Sequence, residues 1–131
     1  MTTLIICAII AALLPYIAKA PVAYAMNKLG GYDNKHPRAQ QSQLKGFGAR
    51  ALAAHQNSFE SLIIFTLALV VVFASQSIDF YVETLAITYI FSRCLYCVFY
   101  YLNWHILRST VWLVSILCPI LMMINALKVV S

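Results

Sequence analysis

Four stretches of the chain are almost wholly apolar, and the segments between them are not. Residues 4–26, 81–101 and 110–130 each hold about one membrane-spanning helix's worth of aliphatic and aromatic side chains. A fourth run, residues 59–74, is shorter but follows a mixed lead-in, "RALAAHQNS". A helix crosses the hydrocarbon layer in roughly 20 residues, so the pattern predicts four transmembrane helices. Four spans use nearly the whole sequence, which leaves one domain, residues 1–131, and no room for a separate soluble one. Between the first two spans, Gly30, Gly31, Asn34 and Pro37 break the helical pattern. Pro37 reads as an early helical position of the second helix, which would then run through the interface before entering the bilayer. Gly46 and Gly48 weaken that stretch. Pro15, Pro21 and Pro119 fall inside spans, where they act as kinks if neighbours satisfy the freed carbonyls.

Composition strengthens this reading. Of 131 residues, 63% are hydrophobic and 10% charged, more apolar surface than a soluble domain of this size can hide. A cleaved signal peptide is a poor description of the N-terminus, because no basic residue precedes Leu4 and the apolar run is too long. The four cysteines, Cys7, Cys94, Cys97 and Cys118, all fall in predicted spans. The "CLYC" pair therefore reads as two small apolar residues, not as a redox motif.

Charge sets the expected orientation. The first connection holds Lys28, Lys35, Arg38, Lys45 and Arg50 against Asp33, the second holds Asp79 and Glu83 with no base, and the third holds His105 and Arg108. The positive-inside rule places the first and third connections in the cytoplasm and both termini on the other side. In so apolar a chain the basic loop reports topology or lipid headgroups, not nucleic acid.

The polar residues near the cytoplasmic ends form the candidate site. An intramembrane charge costs roughly 2.5–3.5 kcal/mol on insertion scales, so such groups face protein and pair. Asn57 and Glu60 share a face of helix two, and Arg93, Tyr96 and Tyr100 share one of helix three. Glu60 and Arg93 are the expected ion pair. Arg108 precedes helix four, whose start Ser109 or Thr110 would cap, leaving free amides beside a guanidinium and a place for an anion. Together these groups suit a small zwitterionic peptide bearing a thiolate. Each also has a structural reading: Glu60–Arg93 as a bundle-fixing pair, the tyrosines as an interfacial belt, Arg108 as a topology signal, and His55 as a donor to a backbone carbonyl. No histidine, cysteine or carboxylate grouping has metal-ligand spacing, and no phosphate-binding or nucleophile-elbow motif occurs.

The residues "RALAAHQNSFE" match R-x-x-x-A-H-x-N-x-x-E, and "RCLYCVFYY…LRS" supplies an arginine, a tyrosine seven residues on, and the arginine opening the fourth helix. In these features the chain resembles the membrane-associated proteins in eicosanoid and glutathione metabolism, MAPEG, which include microsomal glutathione transferases and prostaglandin E synthase. The stretch "DNKHPRAQQSQLKGFGARA" resembles bacterial members, implying the bacterial plasma membrane. The resemblance implies a four-helix bundle assembling as a homotrimer among membrane lipids, with glutathione between subunits as co-substrate and a lipophilic acceptor. It assigns Asn57 and Glu60 to glutathione, with Arg93, Tyr96 and Tyr100 lining the pocket, Arg50 and His55 counted among the glutathione-binding residues, and Arg108 stabilising the thiolate. It also brings in Lys19 or Lys28 of an adjacent subunit. Two departures stand out: Ala53 occupies a position where eukaryotic enzymes carry an arginine, and the Arg93-to-Arg108 spacing differs from some enzymatic members.

The leading expectation is a glutathione-dependent transferase or peroxidase acting on lipophilic electrophiles. The second is a non-catalytic lipid-binding scaffold of the same fold, as in the lipoxygenase-activating protein. A small multidrug exporter ranks last, because the first helix carries Lys19 and no acid.

Overall fold

The computed structural model describes residues 1–130; Ser131, the last position of the expected domain, lies outside the described residues. The helices are α1 (Thr2–Ile17), α2 (Lys19–Asn27), α3 (Pro37–Gln41), α4 (Phe47–Ala74), α5 (Phe80–Tyr101) and α6 (His105–Val130). Four spans result, with α1 and α2 forming the first between them and α4, α5 and α6 the others. The alternation up and down the bundle gathers α3, the start of α4, the end of α5 and the start of α6 at one end.

Three boundaries differ from the expected ones. The first span is broken at Ala18, because Pro21 has no N–H to offer the carbonyl four residues earlier. Ala18 itself keeps right-handed helical backbone, φ −64° and ψ −13°, so α2 continues across the layer. Pro37 does open a helix, but a separate one of five residues. Gly46, at φ 55°, turns the chain before α4 begins, a conformation that favours a residue without Cβ. Finally, α6 starts at His105, a full turn before Thr110. Ser109 and Thr110 cap nothing; their hydroxyls donate to the carbonyls of His105 and Ile106, at 2.9 and 3.1 Å.

The long first connection is held by polar side chains. The Gln40 amide donates to the Gly31 and Met26 carbonyls at 2.7 and 3.2 Å, and its oxygen accepts from the Asp33 amide at 3.0 Å. The Asp33 carboxylate in turn accepts the backbone N–H of His36 and of Lys35. Those bonds, the His36 amide foremost, hold its carboxyl below the usual range. By contrast the α5–α6 turn is tight: only residues 102–104 intervene, and Asn103 takes φ 62°, which asparagine tolerates better than most residues. Asp79 caps α5 by accepting from the Val82 amide at 2.7 Å.

The bundle interior is filled at the far end by Leu4, Phe65, Val72, Val82 and Met122, all without solvent exposure. Phe65 and Tyr89 stack with centroids 4.0 Å apart, and the Tyr89 hydroxyl meets Ser61 at 3.0 Å. The outside is as apolar as the inside: Ile63 and Ile106 are each 70% exposed and Phe91 67%. Water would not tolerate such a surface over the whole circumference, and a bilayer would. The four thiols are free, with Cys94 exposed on this apolar surface and Cys97 buried beside Ser58. This is an integral membrane protein.

Candidate functional site

Arg93 is the organising residue. Its side chain lies in the middle of α5, is 1% exposed, and is the largest fully buried side chain in the structure. One guanidinium nitrogen, Nη2, donates to the Asn57 carbonyl oxygen on α4 at 3.0 Å. Because a guanidinium can only donate, the Asn57 amide must turn its oxygen toward Arg93 and its nitrogen away. That nitrogen donates to Glu60 Oε2 at 2.8 Å. The expected Glu60–Arg93 ion pair is therefore replaced by a relay, with Asn57 between the two charges. Nε and Nη1 of Arg93 are buried and have no hydrogen-bond partner among the described residues.

From Arg93 the site continues along α5 as a ladder of rings and cations. The guanidinium carbon lies 4.3 Å from the Tyr96 ring centroid. Tyr96 and Tyr100 meet edge to face at 5.3 Å. The Arg108 guanidinium covers Tyr100 at 4.4 Å. The three-residue turn makes this last contact, since it folds α6 back onto α5 and sets Arg108 in the first turns of α6. The Arg108 amide already bonds to the Trp104 carbonyl at 2.9 Å, so the amides still free at this helix end are those of residues 105–107.

Asn57 and Glu60 border a small cleft between α4 and α6, about 150 Å³, which also takes in Ser61, Trp112 and Ile116. Trp112 and Ile116 were not among the expected site residues. Their signal was present as steps of four from Arg108, which put all three on one face of α6. Glu60 is exposed on the surface of the chain. It lies about 20 Å along α4, within the hydrocarbon depth of a helix about 42 Å long.

Two expected members lie elsewhere. The His55 ring donates from Nδ1 to the Pro15 carbonyl at 2.8 Å, beside the break in the first span, and packs edge to face on Phe59. It faces α1 and α3, two residues and roughly half a turn from Asn57. Arg50 reaches the Tyr101 carbonyl at 3.4 Å, where a cation is favoured by the open C-terminal end of α5. The structure thus brings together Asn57, Glu60, Arg93, Tyr96, Tyr100 and Arg108, and leaves His55 and Arg50 outside that group. Lys28 lies over its own Tyr24 ring at 4.9 Å, while Lys19 lines a different cleft, with His55. Among the described residues no histidine, cysteine and carboxylate cluster could hold a metal ion.

This fold and polar ladder fit one family, and the chain belongs to it: the MAPEG family model matches residues 3–128. At the level of the family, membership supports a role in glutathione or eicosanoid metabolism. Comparisons with curated proteins and with solved structures gave no match.

Proposed function

We propose that the chain is a membrane-embedded thiol transferase or peroxidase that uses glutathione against lipophilic electrophiles. The observation that carries this reading is the buried Arg93 guanidinium, with two nitrogens unpartnered among the described residues, beside Asn57 and Glu60. Leaving buried charged donors unmet is costly, and an anionic ligand group would answer them. Glu60 offers the complementary acceptor for an ammonium. Arg108 and the free amides opening α6 would stabilise a thiolate, drawing a thiol that titrates near 8.5 toward ionisation at neutral pH. The thiolate attacks an electrophilic carbon of an acceptor arriving from the bilayer, expelling its leaving group or adding to a conjugated double bond. Alternatively it attacks a peroxide oxygen, breaking the O–O bond to release the alcohol and leave a sulfenic acid that a second glutathione converts to disulfide and water. No covalent enzyme intermediate is needed.

A homotrimer accords with the same residues. The 150 Å³ cleft is smaller than the roughly 300 Å³ at which small-molecule sites begin, and a second protomer against it would enlarge the site. An exposed Glu60 carboxylate at hydrocarbon depth likewise calls for protein, not lipid, as its neighbour. The basic connections would lie in the cytoplasm, with both termini outside, in the bacterial plasma membrane.

A scaffold without turnover is the second reading. It is favoured by Ala53, which lacks the arginine of the eukaryotic enzymes, and by Arg50, whose bond to the Tyr101 carbonyl engages the nearest substitute. Stopped-flow absorbance of thiolate formation, with glutathione added to detergent-solubilised protein of measured mass, separates the two. Thiolate signal on a trimer supports the enzyme. Absence of both binding and turnover supports the scaffold.

A further inference from the structure

Away from the polar ladder, a cleft of about 360 Å³ opens between α1, α3 and α4. Lys19, at the start of α2, and Arg38, on α3, both line it. His55 and Gln41 complete its polar wall.

None of the four acids in the chain answers those cations. Asp33 is taken up by the His36 and Lys35 amides, Glu60 by Asn57 and Asp79 by the Val82 amide. Glu83 sits at the opposite end of the bundle, beside the chain's first residue. Among the described residues neither Lys19 nor Arg38 has a side-chain hydrogen-bond or ion-pair partner, and the Gln41 amide has none either. Two like charges lining one concave site call for an anion.

The rest of the cleft says which anion. Its lower wall is the edge-to-face pair Tyr16 and Phe59, with centroids 5.7 Å apart. Below them, three and four residues further along the same helix faces, come Leu13 and Ile63, 52% and 70% exposed. Cations above, aromatic rings at the boundary and bare aliphatic side chains beneath match a phospholipid from headgroup to acyl chain. We propose that this cleft is a binding site for one phospholipid of net negative headgroup, its phosphate held between Lys19 and Arg38. The proposal is independent of the thiol chemistry assigned to Arg93 and Arg108.

Native mass spectrometry of the detergent-solubilised protein tests it, with phosphatidylglycerol and phosphatidylcholine as probes. Wild type should retain phosphatidylglycerol in preference to phosphatidylcholine. The double variant Lys19→Gln/Arg38→Gln should lose roughly thirty-fold in affinity for phosphatidylglycerol, about five-fold for each cation near an anionic headgroup. Lys28→Gln/Lys45→Gln, which removes the same charge elsewhere on that end, should bind as wild type. Equal retention of the two lipids, or undiminished binding by Lys19→Gln/Arg38→Gln, overturns the proposal. So does displacement of the lipid by millimolar inorganic phosphate, which would mark a soluble-anion site, or by glutathione, which would make the cleft part of the thiol site. A thermal melt of each variant identifies misfolding. If the double variant does not fold, Lys19→Met and Arg38→Met singly must each weaken phosphatidylglycerol several-fold, or the proposal fails.

Discussion

Replacing Arg93 with methionine should cost the ligand-free protein little stability and abolish glutathione binding, whereas Asn57→Ala should be strongly destabilising. Arg93→Met removes one charge-assisted hydrogen bond, the 3.0 Å contact to Asn57, worth about 1.5–3 kcal/mol. It also removes the cation–π contact to Tyr96 at 4.3 Å, worth about 2 kcal/mol when desolvated. Against this it relieves two buried unpartnered guanidinium nitrogens, each carrying a penalty of about 1–3 kcal/mol. The two sides are of similar size, so the net change should stay within about 1.5 kcal/mol, in line with other swaps of buried charge for apolar volume. Asn57→Ala is a different perturbation. It deletes the guanidinium's one hydrogen-bond partner while leaving the charge in place, at a cost of about 3–5 kcal/mol. Thermal unfolding in detergent reads the difference: at about 3 °C per kcal/mol for a chain of this size, Asn57→Ala should melt at least about 5 °C below Arg93→Met. Glutathione at about a hundred times its dissociation constant should raise wild-type stability by about 2.7 kcal/mol and that of Arg93→Met not at all. If Arg93→Met melts below Asn57→Ala, Arg93 is a structural keystone and the argument from its unmet donors is wrong.

Arg108→Ala should leave the assembly folded and glutathione bound while cutting turnover roughly 10²–10³-fold, as expected for loss of one preorganised charge at a developing anion; wild-type turnover of a conjugation substrate would remove Arg108 from the chemistry. A single cysteine at Gln76 should react with an impermeant thiol reagent in intact cells and one at Asn34 should not, if both are placed in a cysteine-free background. The reverse pattern would invert the proposed orientation. Gly48→Ala should destabilise by about 1 kcal/mol despite the gain in helix propensity, because the added Cβ would lie 3.0 Å from Ala25 Cβ and 2.9 Å from Leu44 Cδ2; a higher melting temperature would show that α2 and α4 can separate at no cost.

Much of the architecture was legible before any coordinates, and for a specific reason. In a bilayer every backbone polar group must be satisfied within its own segment, so a run of about 20 apolar residues has one available structure. That is why four spans, the membrane class and the break at Gly30–Gly31 follow from pattern alone. Helix ends were less legible, because they depend on single-residue backbone choices: Gly46 at φ 55° separates α3 from α4, and Asn103 at φ 62° allows α6 to begin at His105.

Within the site, helical spacing along one chain segment was enough to group Asn57 with Glu60, and Arg93 with Tyr96 and Tyr100, because residues three, four and seven apart share a face whatever the helix packs against. Which face meets which is a matter of rotation about the helix axes, and sequence spacing carries no record of it. Only the packed bundle decided that Asn57 stands between Glu60 and Arg93, that His55 turns instead to the Pro15 carbonyl, and that Arg50 ends on the Tyr101 carbonyl. It also decided that Lys19 and Arg38, nineteen positions apart in sequence, border one cleft. A charge in a sequence announces that a partner is needed. Which partner it finds depends on donor–acceptor distances of about 3 Å between helices, and those are set by how the apolar side chains of the bundle interlock.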